Sequence, residues 1–420
     1  MSEVEPITTV LPAGRISSAS EHGGLGEALA GSPIGDPEFV VQPESEEEVA
    51  ALLRWASAEG VGVLPACSGR HVSLSCEARD HPRWVVLCTD RLSGIEIYEA
   101  ADLTVTAGAG TPVSVVDAAL RENRQWAPFD PPHFLARSLG GLAADAAHGP
   151  LWMGYGELRN HVLGMTVVTG DGRILRLGGR VVKNVAGFDL LKPMTGSSGS
   201  LSVITSVTIR AFPEPAEDRV LSLSASSVDE LFDDASRVGT APVLPVSCVV
   251  TGSASQGTAG AAEARMFVRL HGALVTVDAD QRTLEAHLGT SLDRIAPEDR
   301  RALMGDVSDR GSESPVCVEV SVLPSRLRRL WSALEAVEPI EFAIDSYAGF
   351  ARVGLAGVTV PALSALTDAT EELGGALRVT RAHVPELRRH GSRPSSDEAR
   401  LIAGLQDAFD PEGVFWPARR

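Results

Sequence analysis

Basic residues are scarce relative to acids. The chain of 420 residues has 37 Lys and Arg against 55 Asp and Glu, a formal charge of -18. Such a balance repels phosphate backbones and anionic lipid, which argues against nucleic-acid or membrane-surface binding. A protein partner with a basic face stays compatible with it. Cysteine is sparse too: Cys67, Cys76, Cys88, Cys248 and Cys317 stand apart with no CxxC spacing. Neither a disulfide framework nor a zinc or iron–sulfur site is expected, and no metal is assigned. Long apolar runs are missing; stretches such as 242–250 have strand length and fall far short of a bilayer span. Residues 1–11 lack the basic and apolar parts of a signal peptide. A cytoplasmic protein is therefore expected. No G-x-G-x-x-G follows a strand to open a helix, and no Walker A run occurs, so Rossmann and P-loop readings fail.

What is present is ordinary globular material, 44% hydrophobic and 22% charged, enough for two or three packed domains. Residues 1–35 read as an irregular segment with limited core. An α+β pattern follows, with strands at 39–41, 61–65, 84–87, 95–98 and 103–107 and helices at 46–59 and 111–121. The acidic run 44–48 falls where a helix N-terminus favours carboxylates. From 138 to 209 the texture becomes short strands, glycine turns and one brief helix near 140–147. Pro213-Glu214-Pro215 marks a boundary.

Beyond the boundary come strand 219–224, helix 228–237, strands 245–251 and 264–270, and helix 274–288. A second such series runs through strand 315–322, helix 324–336, strands 341–347 and 350–355, helix 361–373 and strand 376–382. Both halves approximate β-α-β-β-α-β, which predicts two ferredoxin-like units sharing a sheet. The tracts 251–262 and 308–314 read as loops, and a last helix is expected over 398–409.

Three glycine-bearing segments offer backbone amides to an anion: Ser68-Gly69, 107–110 and Leu139-Gly140-Gly141. Taken alone they establish only possible anion-binding loops. The run Gly178-Gly179-Arg180-Val181-Val182-Lys183-Asn184-Val185-Ala186-Gly187-Phe188-Asp189-Leu190, followed by Gly196-Ser197-Ser198-Gly199-Ser200-Leu201, is more specific. Together with Pro128-Phe129-Asp130-Pro131-Pro132, Ser138-Leu139-Gly140-Gly141, Arg159-Asn160-His161-Val162-Leu163-Gly164 and the closing Phe409-Asp410-Pro411, it resembles the FAD-binding subunit of bacterial glycolate oxidase. That subunit belongs to the wider group with a PCMH-type FAD-binding domain, which includes vanillyl-alcohol oxidase and FAD-linked D-lactate dehydrogenases.

The resemblance implies a two-subdomain PCMH-type FAD-binding domain over 36–215 and an α+β cap over 216–420. It implies FAD held by Cys67, Ser68, Gly69, Arg70 and His71 at the pyrophosphate, and by Ser138, Leu139, Gly140, Gly141, Ala144 and Gly149 along the phosphates and ring. Val203 and Ile204 would meet the cofactor from the second subdomain. The family's pyrophosphate loop usually carries two or three glycines; here only Gly69 is retained, and Arg70 either pairs with phosphate or blocks the loop. Shifted by one residue, the loop resembles that of relatives whose histidine bonds covalently to flavin, which would make His71 the attachment point.

Among the histidines near these segments, His133, His148 and His161, the candidate general base is His148. Lys183 and Asp189 suit a structural ion pair better than acid–base work. In the cap, Arg352 or Arg378 suits a substrate carboxylate. The implied substrate is a small 2-hydroxy acid. FAD would accept a hydride equivalent from that acid, or electrons from a second flavoprotein subunit, and pass them to an iron–sulfur subunit, since this chain has no cluster ligands. FAD-linked dehydrogenases that oxidise such acids unaided often carry paired cap histidines, whereas His271 and His390 are isolated here. Two alternatives stay open: an independent FAD-dependent oxidase of a specialised small molecule, and a non-catalytic subunit on the same fold.

Overall fold

The computed structural model describes residues 6–22, 25, 36–67, 69, 81–179, 189–254, 261–382, 384–388 and 390–416. Ser68, Arg70, His71, Cys76 and Lys183, with most of the 178–190 run, lie outside the described residues.

Three sheets organise the chain. The first contains β1 (Ile16–Ser17), β2 (Phe39–Val41), β3 (Gly62–Ala66) and β4 (Trp84–Cys88) in the order β1-β2-β4-β3. Strands β2, β4 and β3 run parallel, as a helical crossover requires. That crossover is α1 (Glu46–Glu59), where Ser45 accepts a hydrogen bond from the Glu48 amide and Gly60 ends the helix at φ 62°. Its buried face (Val49, Leu52, Leu53, Ala56) packs on Val41, Val63, Val85 and Leu87. The N-terminal segment contributes more than expected, because Ile7 and Leu11 are buried in this core and β1 pairs with β2.

Antiparallel β5 (Ile95–Glu99), β6 (Thr104–Gly108), β8 (Val162–Thr169), β9 (Ile174–Gly178) and β10 (Ser202–Arg210) form the second sheet, ordered β5-β6-β10-β8-β9. Between them the chain forms α2 (Val113–Glu122), β7 (Gln125–Trp126), α3 (Leu139–Asp145), α4 (Trp152–Tyr155) and α5 (Leu191–Met194). The short β11 (Phe212–Pro213) pairs with β7.

The third sheet has eight strands. Its first series is β12 (Glu217–Ala225), α6 (Val228–Thr240), β13 (Ser247–Ala254), β14 (Ala261–Gly272), α7 (Leu274–Leu288), β15 (Asp293–Arg294) and α8 (Arg300–Asp309). The second is β16 (Val316–Ser321), α9 (Leu327–Glu335), β17 (Glu341–Asp345), β18 (Phe350–Leu355), α10 (Val360–Glu372) and β19 (Ala376–Ala382). Both halves enter one sheet through β13 and β17, in the order β15-β12-β14-β13-β17-β18-β16-β19. The short α11 (Pro385–Arg388) leads to α12 (Ser396–Phe409).

Two expected loops are corrected. Strands β13 and β14 extend into the 251–262 tract, so only 255–260 fall outside described elements. Helix α8 covers Ser308 and Asp309, previously read as loop, and carries only Met304, Val307 and Ser308 as buried residues. So narrow a stripe gives almost no helical periodicity to detect.

After α12 the chain returns to the first sheet. The Val63 amide donates to the Val414 carbonyl, and Val63 forms a parallel bridge with Phe415. Phe415 and Trp416 are buried, with Trp416 edge-on to Trp84. The Asp410 carboxylate holds this turn by accepting from the amides of Val414 and Phe415.

Candidate cofactor and substrate site

Three segments meet where the first two sheets join. The C-terminal end of β3 delivers Pro65, Ala66 and Cys67. Ala66 is fixed by Thr89, whose amide and hydroxyl both donate to its carbonyl. The Cys67 thiol is pushed up by burial, against hydrogen bonds with the side chains of Ser138 and Thr89. Ser138 caps α3 by accepting from the Gly141 amide at 3.1 Å. The Gly140 amide donates to Ala109, and the Leu139 amide to Thr111. The turn after β6 lies so close that a Cβ on Gly140 would stand 2.6 Å from Ala109 Cβ, and one on Gly110 would stand 2.0 Å from the Thr89 carbonyl. Only glycine permits this approach.

The third segment is the loop 195–200. Gly196 and Ser198 donate to the carbonyls of Ala143 and Ala144, and a Cβ on Gly199 would rest 3.4 Å from Pro65. Gly196, Ser198 and Gly199 all have positive φ. The buried Ser197 Oγ has no partner among the described residues. A wall of small residues and an orphaned hydroxyl fits a pyrophosphate-bearing cofactor.

The structure thus brings Cys67, Ser138, Leu139, Gly140, Gly141 and Ala144 together with residues 196–200, which sequence reasoning had quoted without assigning them a role. Gly69 is described at φ 76°. Leu139 and Ile204 share one core cluster beneath the cradle, while Val203 faces the core of the first sheet with Val63 and Val168. Gly149 packs on Asp130, where its Cβ would stand 2.4 Å from the carbonyl carbon. Asp189 is exposed and pairs with Lys192 at 3.6 Å.

The far end of α3 meets the cap. Asp145 accepts from Arg137 at 2.9 Å and from Arg378 at 3.4 Å. Arg378 also reaches Glu319 at 3.1 Å, and Glu319 accepts from Arg352 at 3.0 Å. Strand register explains this ladder: Glu319 of β16 lies directly opposite Arg352 of β18 and Arg378 of β19. Val316, Val318 and Val320 fill the other face, so the charged trio points away from the cap core. Burial opposes charge here, yet Arg352 and Arg378 hold the Glu319 carboxyl below its ordinary range. Burial likewise opposes the Arg378 charge, and Glu319 and Asp145 overcome it.

Of the two predicted carboxylate-binding arginines, Arg352 is fully engaged. Its three nitrogens donate to Glu319, the Ser308 carbonyl and the His148 carbonyl. Arg378 uses only Nη2; its Nε and Nη1 have no hydrogen bond among the described residues. His148 stacks on Phe350, ring centroids 4.1 Å apart, and its Nε2 lies 3.3 Å from Asp345. Burial lowers its pKa against the pull of Asp345, which favours the neutral imidazole that a base requires. His133 instead pairs with Asp309 and Glu313, and His161 bonds the Tyr155 carbonyl. Glu319, Asp145 and Asp345 escaped sequence reasoning. Glu319 alone had a signal, a charge in the middle of an apolar strand; Asp145 and Asp345 are the last residues of a helix and a strand.

Asp130 has a separate environment. Its Oδ1 accepts from the Leu151 amide at 2.8 Å, while its buried Oδ2 has no hydrogen-bond partner among the described residues. Arg269 Nη1 is 4.0 Å away. Burial pushes the carboxyl up to about 6, with Asp345 adding to the shift and Arg269, Arg352 and the Leu151 amide opposing it. A raised folded pKa means that the favourable contribution is complete at low pH and is lost as pH rises toward and through 6. Relative to Asp130→Asn, which keeps the Oδ1 acceptor, the native chain should lose about 2–3 kcal/mol of stability between pH 4 and 7. Urea unfolding of both proteins across that range checks this, and parallel pH profiles would refute it.

Residues 37–178 match the family model described as an FAD binding domain. The chain is 38% identical over 200 residues to the D-2-hydroxyglutarate dehydrogenase of Xanthomonas citri pv. viticola, covering 47% of this chain and 41% of that protein. It is 42% identical over 123 residues to glycolate oxidase subunit GlcE of Escherichia coli K12, covering 29% of this chain and 35% of that one. The chain therefore aligns with less than half the length of either relative. A crystal structure of p-cresol methylhydroxylase with substrate bound superimposes with a TM-score of 0.73 at 15% identity, over 98% of this chain and 94% of that one. The fold is the PCMH-type FAD-binding fold with an α+β cap, and its cofactor is FAD.

Gly140→Val should empty that cradle. The new side chain meets Ala109 at once, so the first turn of α3 must move away from the Ala107–Gly110 turn. Dissociation of FAD should strengthen in proportion, with Kd raised by roughly two orders of magnitude for ~3 kcal/mol of lost binding. Flavin content of the purified variant and titration with added FAD provide the measurement.

Proposed function

We propose that this FAD-binding protein is an oxidoreductase for a small 2-hydroxy acid, working as the FAD-binding subunit of a glycolate-oxidase-type assembly. The Nη1 of Arg378, without a hydrogen bond among the described residues, carries the reading. It belongs to a guanidinium locked in its charged form, tied through Asp145 to the helix whose first turn forms the FAD cradle. The two relatives support the substrate class, since both names refer to oxidation of a 2-hydroxy acid.

Bound FAD supplies the two-electron acceptor that conversion of a hydroxyl to a carbonyl requires. Arg378 holds the substrate carboxylate by a charge-assisted hydrogen bond from Nη1. Asp145 and Glu319 fix that guanidinium from its other side, so its orientation is set before substrate arrives. His148 takes the hydroxyl proton at Nδ1, its Nε2 being directed to Asp345.

The remaining electron path lies in partners: a second flavoprotein subunit and an iron–sulfur subunit, met through faces complementary to an acidic chain. Among the described residues no helix is long and apolar enough to cross a membrane. Cys67, Cys88, Cys248 and Cys317 are free thiols, which suits the reducing cytoplasm.

Anaerobic mixing of the FAD-loaded protein with D-2-hydroxyglutarate, D-lactate and glycolate tests the reading, first alone and then with the candidate partner subunits. Bleaching of the visible flavin band by one of these acids is expected. No bleaching under either condition sinks it, and bleaching reversed by dioxygen alone would point to an independent oxidase.

A further inference from the structure

The end of the β17–β18 hairpin grips a ring that belongs to the other domain. Asp345 closes β17 and lies directly opposite Phe350, the first residue of β18, so their side chains share a face. Phe350 stacks on the His148 imidazole, and Asp345 Oδ2 lies 3.3 Å from its Nε2. Trp152 stands edge-on to the same ring at 4.4 Å. Arg352, two residues along β18, donates from Nη2 to the His148 carbonyl at 3.1 Å. The FAD-binding domain thus supplies the imidazole, and the cap supplies the carboxylate that orients it.

Asp345 is only 3% exposed, and its two oxygens are used differently. Oδ1 accepts from the amides of Tyr347 and Ala348, both at 3.0 Å. Those bonds shape the turn into β18 and need no histidine nearby. Oδ2 takes no part in the turn; among the described residues its hydrogen-bond partner is His148. Two main-chain donors on Oδ1 fix the direction of Oδ2, and a carboxylate oxygen can only accept. Nε2 must then carry the ring proton, which puts the lone pair of the neutral imidazole on Nδ1. Nδ1 has no hydrogen bond among the described residues.

We propose that Asp345 is a positioning residue: it holds His148 in the Nε2–H form and so leaves Nδ1 as the base. This rests on the redox reading, in which Nδ1 takes the hydroxyl proton, and adds that the base is complete only with the cap docked. Asparagine at 345 should reverse the tautomer. Its carbonyl must stay on the Tyr347 and Ala348 amides, since an NH2 group there would set donor against donor. The NH2 group then faces Nε2, which becomes the acceptor, and the ring proton moves to Nδ1.

The test uses the FAD-loaded full chain with 15N-labelled histidine, His148 being identified by the signals lost in His148→Gln. Two-bond 1H–15N correlations should show the Nε2–H form in the native protein and the Nδ1–H form in Asp345→Asn. With a 2-hydroxy acid that bleaches the native flavin, the limiting rate of reduction should fall about 10²-fold in Asp345→Asn. Its substrate dependence, set by Arg378, should stay within about twofold of native. The acid limb of the rate should also move to lower pH. Burial and Arg352 disfavour the protonated ring, Asp345 and Glu319 favour it, and one of those two anions is gone. An Nδ1–H ring in the native protein, an unchanged tautomer in Asp345→Asn, or a native rate after the switch overturns the assignment. The expected switch without bleaching by any acid keeps the hold of Asp345 on the ring and sinks the redox reading instead.

Discussion

Arg378→Met should lower kcat/KM for the 2-hydroxy acid by a factor of about 10²–10³ while leaving FAD content unchanged. The magnitude follows from removing one partner of a buried charge-assisted contact, typically 2–5 kcal/mol. The direction follows from geometry. Arg378 stands on the edge strand β19, with Nη2 committed to Asp145 and Glu319 and its other two nitrogens open. Lysine at this position restores charge but not the planar guanidinium that Asp145 and Glu319 hold in place, so Arg378→Lys should recover only part of the loss and mostly in kcat. Stopped-flow reduction of the flavin against substrate concentration separates the two parameters. An unchanged kcat/KM in Arg378→Met would remove the carboxylate role and with it the main support for the substrate class.

Arg352→Met should be a stability variant, lowering the unfolding free energy by about 3–5 kcal/mol. Its guanidinium joins Glu319 to the carbonyls of Ser308 and His148, so cap and FAD-binding domain both lose a contact when it goes. Methionine fills most of the space but strands two carbonyls and leaves Glu319 with Arg378 as its remaining cation. Adding Glu319→Gln to Arg352→Met should return part of the loss, because the stranded charge is then absent; the double-mutant cycle reads that coupling. Urea unfolding midpoints give the numbers, and a single variant within about 0.5 kcal/mol of native would show that the ladder contributes little.

The two variants also show where sequence reading ran short. Helices such as α1 and α6 were legible because Ser45 and Ser227 cap them and apolar stripes mark their inner faces. The two β-α-β-β-α-β series were legible for the same reason: strand and helix periods differ, and the turns between them are short. The cradle could be read from Ser138, Gly140 and Gly141, whose spacing has a local meaning. The ladder had none. Glu319 meets Arg352 and Arg378 across 33 and 59 positions of sequence, and only strand register brings them opposite each other. His148 had appeared as one histidine among three; Asp345, Phe350 and Arg352 distinguish it, and all three come from the cap. Helix α8 was missed because a charged surface helix with so few inward residues resembles a polar loop.

The return of residues 410–416 to the first sheet sets an order on biosynthesis. When residue 215 has been made, every strand of the first two sheets exists, yet the Val63 amide still awaits the Val414 carbonyl and Trp84 awaits Trp416. At elongation speeds of roughly 5–20 residues per second, about 10–40 s pass before that stretch is translated. Through this interval the nascent FAD-binding domain presents an open parallel edge beside an uncovered tryptophan, the kind of surface that recruits chaperones or a neighbouring nascent chain. Completion of the cofactor domain thus waits for residues 410–416, although most of its sequence is translated first.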